Sequence, residues 1–301
     1  MENTINILGW NVNQGGFDRR HIANFRDMTP ERETAIQQFI IQQQQEHRVT
    51  TASLIDTYGW RERYGGDEGI AAHLGFRAAH FVELADSRID NILGPGAGLT
   101  FTTHHEIEES VALDLDNRQG IRSIIKLGGK TLQIATLYLD DMREDVRLHQ
   151  LRAGLDGLED EPTMLVGDFN ALRPHFEGAS LTTKAHDLSF RTLAFAVSCL
   201  PKQETLHSIL SKINKQQQSA TIYYYRTAIS NLNQRQVIPY LEQQGWHDAD
   251  PNKHATFRKL GGIGLGVDYA FYNGGVQLTQ ADIIPAYNAS DHDALRVTAI
   301  V

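Results

Sequence analysis

Acidic and amide side chains stand at the ends of several apolar segments of the sequence. Asn11 interrupts one such segment, Asp56 ends another, and Asp168 follows the most hydrophobic segment of the chain. A carboxylate buried at the end of a sheet costs several kcal/mol unless a cation or a hydrogen-bond donor compensates it. Asp56, Asp291 and the carbonyl of Asn11 could hold a hard divalent cation such as Mg²⁺, which prefers oxygen ligands. The further polar residues at such positions are Asn170, Asp268 and His292.

Each of these residues has a simpler explanation when it is taken alone. A single aspartate at a strand end is more often a turn or cap residue than a metal ligand. An EF-hand loop beginning at Asp168 fails, because its sixth position would be Arg173 and its twelfth Ala179. Turns do not readily explain five such sites at strand ends, so the pattern indicates one shared site. The five are Asn11, Asp56, Asp168 with Asn170, Asp268, and Asp291 with His292.

The elements that must position these residues are mainly strands, with helices between them. Helices are predicted from Thr29–Pro30 onward and over roughly 143–158, and the polar segment 177–245 is predicted to be a mostly helical insertion. Apolar alternation predicts strands over 4–12, 51–56, 76–83, 98–103, 106–115, 121–127, 130–139, 163–166, 267–273, 276–284 and 294–300. So many strands with apolar faces favour two sheets packed face to face. Because no Pro/Gly/Ser-rich linker interrupts the pattern, we expect residues 1–301 to form a single domain.

Composition restricts the classes of function that remain. The 301 residues include 28 Lys and Arg against 37 Asp and Glu, a net charge of −9, so any nucleic-acid binding must rely on a local basic patch. The single cysteine, Cys199, excludes an intramolecular disulfide framework and a multi-cysteine zinc site. The longest apolar run, 193–200, is too short to span a bilayer, and the first residues lack the pattern of a secretory signal. We therefore expect a soluble cytoplasmic protein without a membrane span.

Four segments, taken in order, resemble a known family. They are Leu8–Val12, Leu165–Ala171, Val267–Phe271 and Ser290–His292. Together they resemble the endonuclease/exonuclease/phosphatase superfamily, which includes pancreatic deoxyribonuclease, apurinic endonucleases, inositol-polyphosphate phosphatases and sphingomyelinases. The resemblance spans essentially the whole chain. It implies a four-layer α/β/β/α sandwich of two mostly antiparallel sheets with helices outside, and a phosphoesterase that uses Mg²⁺, with Mn²⁺ as a possible substitute.

The resemblance also implies a role for each residue that matches the family's motifs. Asp168 would orient or deprotonate the attacking water, and Asn170 would hold the phosphate or the leaving group. Asp268 would accept a hydrogen bond from His292, fixing its tautomer and favouring its protonated form. On this basis Asp168 and His292 both remain candidates for the general base. The residues implied to surround the cation are Asn11, Asp56 and Asp291.

Two positions depart from the family's pattern. The family has Gln-Glu where this sequence has Ile55-Asp56, and the shorter aspartate must approach the cation more closely or bind it more weakly. Tyr138 stands where many members carry histidine, although apurinic endonucleases carry tyrosine. A phenol can donate to a phosphate oxygen but is a poor base at neutral pH. A tyrosine half in the core explains this position equally well.

Basic residues near these segments are candidates for substrate binding. Arg61 follows Asp56, and Lys253 and Arg258 precede Asp268, so all three could steer a phosphate towards the cation. Solvated basic loops are the simpler explanation for most of them. The glycine-rich segment 262–266 runs into a strand rather than opening a helix, so it is neither a P-loop nor a Rossmann turn, and we expect a flexible loop there.

The sequence therefore predicts hydrolysis of a phosphate ester, with a nuclease-like phosphodiesterase favoured and nucleic acid a possible substrate. The acidic net charge keeps open a phosphatase or phosphodiesterase that acts on a small or lipid-like phosphorylated substrate. A binding protein that kept the fold and lost turnover is a further alternative, because of Asp56 and Tyr138. A calcineurin-type dinuclear enzyme is disfavoured, because its Gly-Asn-His motif is absent.

Overall fold

The computed structural model describes residues 3–12, 30–83, 98–116, 118–140, 143–171, 236–250, 254–260, 263–286, 289–290 and 292–301. These residues form fourteen strands and five helices. The helices are α1 Pro30–His47, α2 Trp60–Tyr64, α3 Asp67–Leu74, α4 Glu144–Asp156 and α5 Val237–Gln243. The strands are β1 Thr4–Asn11, β2 Thr51–Ile55, β3 Ala78–Glu83, β4 Gly98–Thr103, β5 Glu106–Asp114, β6 Gln119–Leu127, β7 Lys130–Tyr138, β8 Thr163–Asp168, β9 His247–Asp248, β10 Phe257–Leu260, β11 Ile263–Leu265, β12 Asp268–Tyr272, β13 Gln277–Ile284 and β14 Ala294–Ile300.

Two six-stranded sheets contain most of these strands. The first has the order β13-β14-β1-β2-β4-β3, and the second has the order β5-β6-β7-β8-β12-β9. In the described part of the chain, β1 pairs with β2 and β7 with β8 in parallel, and the other neighbours within the two sheets are antiparallel. Each parallel pair needs a crossover, which includes α1 in the first sheet and α4 in the second.

The sheets pack face to face because their strands alternate between two apolar faces. In β1, Ile5 and Ile7 point into the layer between the sheets, whereas Leu8 and Trp10 point to the outer face. The sheets approach closely at Gly9, where a Cβ atom would lie 2.4 Å from Cγ1 of Val166 in β8. Glycine at this position therefore lets the end of β1 come close to the end of β8, next to the polar residues described below.

Helices cover both outer faces. The apolar sides of α1, α2 and α3 pack against the first sheet, and those of α4 and α5 pack against the second. The resulting order of layers is helix, sheet, sheet, helix, which confirms the predicted α/β/β/α sandwich. No helix in the described segments is long and apolar enough to cross a membrane.

Most predicted elements are present with small shifts at their ends, but α2, α3 and the short strands β9, β10 and β11 were not predicted. The helices α2 and α3 were not predicted, because Gly65 and Gly66, both with positive φ, divide residues 60–74 into pieces too short for a helical pattern. The expectation of a loop over 262–266 was wrong in part, since Ile263–Leu265 is a strand paired with β10. Within the expected insertion 177–245 the structure describes only residues 236–245, where α5 lies, and residues 177–235 are outside the described residues.

Candidate active site

Polar residues from both sheets meet where the strands end. Asn11 is the last residue of β1, Asp168 is the last of β8, and Asp268 is the first of β12. Antiparallel pairing places Asp268 directly opposite Asp168, and parallel pairing places Tyr138 beside Asp168 on the other side. Four predicted site residues are therefore gathered by the strand register and by the packing of the two sheets.

Asp168 is held by donors from both sheets. Nδ2 of Asn11 donates to its Oδ2 at 2.9 Å, and the backbone N–H of Asn170 donates to its Oδ1 at 3.0 Å. The side chain is buried, and the first of these bonds joins the two sheets at this point. The carboxylate consequently has a fixed orientation.

Asp268 and His292 form a second buried pair. The Nδ1 atom of His292 lies 2.8 Å from Oδ2 of Asp268. The indole N–H of Trp10 donates to the carbonyl of His292 at 3.1 Å, so the residue is also held through its backbone. The hydroxyl of Ser290 donates to the carbonyl of Asn11 at 2.7 Å and accepts from the N–H of His292 at 3.1 Å. These bonds hold the segment before β14 against the end of β1.

The surroundings of Asp168 strongly perturb its titration. Burial, together with the charge of Asp268, raises the pKa of Asp168 to about 7, against the lowering effects of His292, the Asn11 amide and the Asn170 N–H. Oδ1 of Asp268 is buried and accepts no hydrogen bond from the residues that the structure describes. One ligand atom each from Asp168, Asp268 and His292 lie within 4.8 Å of one another, an arrangement that could hold a metal ion. A bound cation would therefore be stabilised by the two buried carboxylates.

Two candidate residues have left-handed backbones. Asp56 has φ 63° and Asn170 has φ 48°, values that aspartate and asparagine adopt more readily than other residues with a side chain. Asp56 directly follows Ile55, which pairs with Asn11, and the residue is only 5 % exposed. Thr57 fixes the next peptide by donating its N–H to the carbonyl of Gly98 at 2.9 Å. Left-handed residues other than glycine are often found at functional sites, where the surrounding structure maintains them.

Arg118 is a buried cation that was not predicted from the sequence as a site residue. Its guanidinium carbon lies 4.4 Å from the centroid of the Tyr138 ring, and the residue is 2 % exposed. A cation over an aromatic face is attracted by the ring quadrupole and restricts the ring's position. In the sequence Arg118 is one of several arginines at a turn before a strand, so only the fold distinguishes it from Arg61.

The roles of the remaining predicted residues stay predictions. Asp291 and Lys253 lie outside the described residues, although Ser290 and His292 on either side of Asp291 are described. The backbone of Arg258 belongs to β10, but its side chain is not among those described. Arg61 is exposed in the first turn of α2, five residues after Asp56.

Comparison with known proteins identifies the family. The sequence profile of the Endonuclease/Exonuclease/phosphatase family matches residues 85–292, which is more than half of the chain. The chain belongs to this family, whose members are hydrolases that act on phosphate esters and typically depend on divalent metals. No curated protein sequence matched the chain.

Solved structures of the family share the fold at low sequence identity. A humanised D. rerio TDP2 is 14 % identical with a TM-score of 0.58, and the match covers 99 % of each chain. The human Nocturnin catalytic domain with bound sulfate is 15 % identical with a TM-score of 0.55, covering 99 % of this chain and 95 % of that one. A family protein from Beutenbergia cavernae is 12 % identical with a TM-score of 0.62, covering 99 % of this chain and 72 % of that one.

Proposed function

We propose that the protein is a divalent-metal-dependent phosphoesterase that hydrolyses a phosphodiester by in-line attack of water. The observation that carries this proposal is the buried Asp168–Asp268–His292 cluster, with Asn11 and Asn170 bonded to Asp168. Family membership supports hydrolysis of a phosphate ester. A D. rerio TDP2 complexed with a single-stranded DNA product also has this fold, with a TM-score of 0.56, which favours a diester substrate.

The residues at the ends of β1 and β2 fit a hard cation. Asp56 is a buried carboxylate beside the end of β1, and Asn11 offers an amide oxygen there. We propose that Asn11, Asp56 and Asp291 hold Mg²⁺, for which Mn²⁺ could substitute, because their donor atoms are all oxygens. The bound cation would supply positive charge to the phosphoryl oxygens as negative charge develops on them. Because Asp56 is shorter than the family's glutamate, it must approach the cation more closely or bind it more weakly, and the affinity of the site for Mg²⁺ tests this.

Asp168 is the residue proposed to orient the water and to accept its proton. A pKa of about 7 is suited to a general base near neutral pH, and two hydrogen bonds fix the carboxylate. In the reaction, a P–O bond forms from the water oxygen and the P–O bond to the leaving group breaks. The proton of the water passes to Asp168, and the leaving oxygen departs as an alkoxide that takes a proton from solvent.

His292, Asn170 and Tyr138 are proposed to bind the phosphoryl oxygens. Because Nδ1 of His292 faces Asp268, its Nε2 is the nitrogen that would donate to the substrate. Asn170 uses one side-chain N–H on the carbonyl of Leu139 at 3.1 Å, and its second N–H would meet the phosphate or the leaving group. The phenol of Tyr138, restricted by Arg118, would donate to a phosphate oxygen, and Arg118 would contribute positive charge.

Arg61, Lys253 and Arg258 are proposed to attract the phosphate substrate towards this site. A nuclease that contacts several phosphates loses affinity steeply as salt rises, because binding releases counterions. A phosphatase acting on a small substrate is the second candidate, and the net charge of −9 favours it by opposing a long polyanion. The slope of KM against salt concentration therefore separates the two candidates.

The direct test is hydrolysis of single-stranded DNA, abasic duplex, bis-p-nitrophenyl phosphate and inositol phosphates with Mg²⁺, Mn²⁺ or a chelator. We expect cleavage of a diester that requires the metal and falls about 10²- to 10⁴-fold in His292→Ala. His47→Ala, at the exposed end of α1, is the matched control and should retain full activity. Metal-independent cleavage, or full activity of His292→Ala, would contradict the proposal. Phosphate binding without turnover on any substrate would identify a binding protein instead.

A further inference from the structure

A fully buried arginine lies in α4, outside the cluster described above. Nε and NH2 of Arg147 contact Oε2 of Glu144 at 2.9 and 2.8 Å, and NH1 donates to the carbonyl of Asp140 at 2.8 Å. Taking such an ion pair out of water is costly, and apolar residues often stabilise a core as well. The position of the guanidinium therefore calls for an explanation beyond stability.

Arg147 holds the segment that leaves β7. Asp140, two residues after Tyr138, is fully buried, and its carbonyl accepts from Arg147. The N–H of Asp140 donates to Oε1 of Gln150 at 2.7 Å, and its Oδ1 accepts from the N–H of Arg143 at 2.8 Å. Residues of α4 and Arg143 just before it thus fix Asp140 through its carbonyl, its N–H and its side chain.

The residue before Asp140 contacts the candidate active site directly. Leu139 donates its N–H to the carbonyl of Asp168 at 3.0 Å. Its carbonyl accepts the side-chain N–H of Asn170 at 3.1 Å. The Leu139 carbonyl therefore helps to set the orientation of the Asn170 side-chain amide. A continuous series of hydrogen bonds and one peptide link therefore runs from Arg147 to Asn170.

Glu144 prevents Arg147 from moving away from Asp140. Its second oxygen, Oε1, accepts the backbone N–H groups of Gln236 at 2.6 Å and Val237 at 3.0 Å, at the start of α5. The carboxylate is therefore held between α5 and the guanidinium. A planar guanidinium can bind Glu144 and Asp140 at the same time, whereas a lysine ammonium has no such fork.

We propose that Arg147 is a positioning residue for the phosphate-binding side of the site, and that it acts on Asn170 through Asp140 and Leu139. This inference rests on the proposed function for its effect on turnover. Loss of the guanidinium releases the Asp140 carbonyl and lets Leu139 shift relative to Asn170. A displacement of about 1 Å at a reacting group can lower a rate about 100-fold. The proposed cation ligands Asn11 and Asp56 lie on β1 and after β2, in the other sheet. Asn11 is connected to this series only through its side-chain bond to Asp168, so we expect the effect on cation binding to be small.

The test uses Arg147→Lys and Arg147→Met, with Arg122→Met as the matched control. Arg122 is also a largely buried arginine, paired with Glu109 at 2.8 Å and Glu159 at 2.6 Å on the second sheet. Amide hydrogen exchange at Leu139, the side-chain amide signal of Asn170, the Mg²⁺ dissociation constant, kcat and KM are measured for each protein. In both Arg147 variants we expect exchange at Leu139 to accelerate at least about tenfold and kcat to fall about 10- to 100-fold. The Mg²⁺ dissociation constant should stay within about twofold of wild type.

Arg122→Met should leave exchange at Leu139 and kcat unchanged. Unaltered exchange at Leu139 and an unaltered Asn170 signal in Arg147→Lys would overturn the inference, as would a loss of melting temperature with kcat retained. Arg147→Lys serves as the decisive variant if Arg147→Met fails to fold. If the wild-type protein hydrolyses no substrate, the proposed function fails, and the exchange and Asn170 measurements still decide the positioning role.

Discussion

Replacing Asp168 by asparagine is expected to abolish hydrolysis and to stabilise the metal-free protein above neutral pH. The carboxylate is buried opposite Asp268, and these surroundings raise its pKa from 3.8 to about 7. The folded protein therefore keeps a proton on Asp168 at pH values where the unfolded chain has released it. Since the folded state binds more protons, the free energy of unfolding must fall as the pH rises between these two values.

The size of this effect follows from the two pKa values. Each pH unit between 3.8 and about 7 removes about 1.4 kcal/mol from the free energy of unfolding, or about 4 kcal/mol in total. About 3 kcal/mol of this loss falls between pH 5 and pH 8. Asparagine cannot ionise, so Asp168→Asn should lack this part of the pH dependence. The variant loses about 1 kcal/mol of its free energy of unfolding, because asparagine alters the hydrogen bonds to Asn11 and Asn170.

The assay is equilibrium urea unfolding at several pH values in the presence of a chelator. Wild type and Asp156→Asn, which changes an exposed aspartate at the end of α4, should lose stability together as the pH rises. Asp168→Asn should become the most stable of the three proteins at pH 8 while showing no hydrolysis when metal is restored. Parallel pH profiles for all three proteins would refute the reasoning, because the buried carboxylate would then carry no energetic cost.

Three further predictions concern other parts of the site. In Asp56→Asn, asparagine tolerates the left-handed backbone but removes a negative charge. The Mg²⁺ dissociation constant measured by calorimetry should therefore rise at least about tenfold, with little change in melting temperature. An unchanged affinity would remove Asp56 from the proposed cation site. Arg118→Met should raise KM and lower kcat by removing the cation from the face of Tyr138, and unchanged kinetics would leave Arg118 with a packing role only. Gly9→Ala should lower the free energy of unfolding in urea by about 1 to 3 kcal/mol, because the new Cβ would lie 2.4 Å from Cγ1 of Val166. In a Val166→Ala background the same substitution should cost less. Equal costs in the two backgrounds would contradict the contact.

Alternating apolar residues indicated two sheets packed face to face, because each strand packs on both faces, and the resemblance to the family implied helices outside them. Ile7 and Leu8 on β1 illustrate this, since one faces the other sheet and its neighbour faces the helices. The polar residues at the strand ends were predictable for the same reason, as an aspartate after a buried strand stands out. The partners of these residues were harder to predict, because the pairing of Asp168 with Asp268 depends on strand register.

Residues whose importance comes from distant contacts could not be selected from the sequence. Arg118 and Arg147 are ordinary arginines in sequence, and only the fold places one over Tyr138 and the other beneath Asp140. The short helices α2 and α3 lack the length that a helical pattern requires, and glycines with positive φ separate them. Local pattern therefore predicted the two sheets and the ends of the strands, whereas tertiary contacts determine which side chains complete the site.

Anomalous diffraction from a crystal soaked with Mn²⁺ and inorganic phosphate tests the central claim most directly. The account predicts an anomalous peak coordinated by oxygens of Asn11 and Asp56, with a phosphate within hydrogen-bond distance of His292 and Asn170. A manganese ion bound elsewhere, or a phosphate remote from His292 while the metal site is filled, would contradict the assignment of this cluster to the cleavage of a phosphate ester.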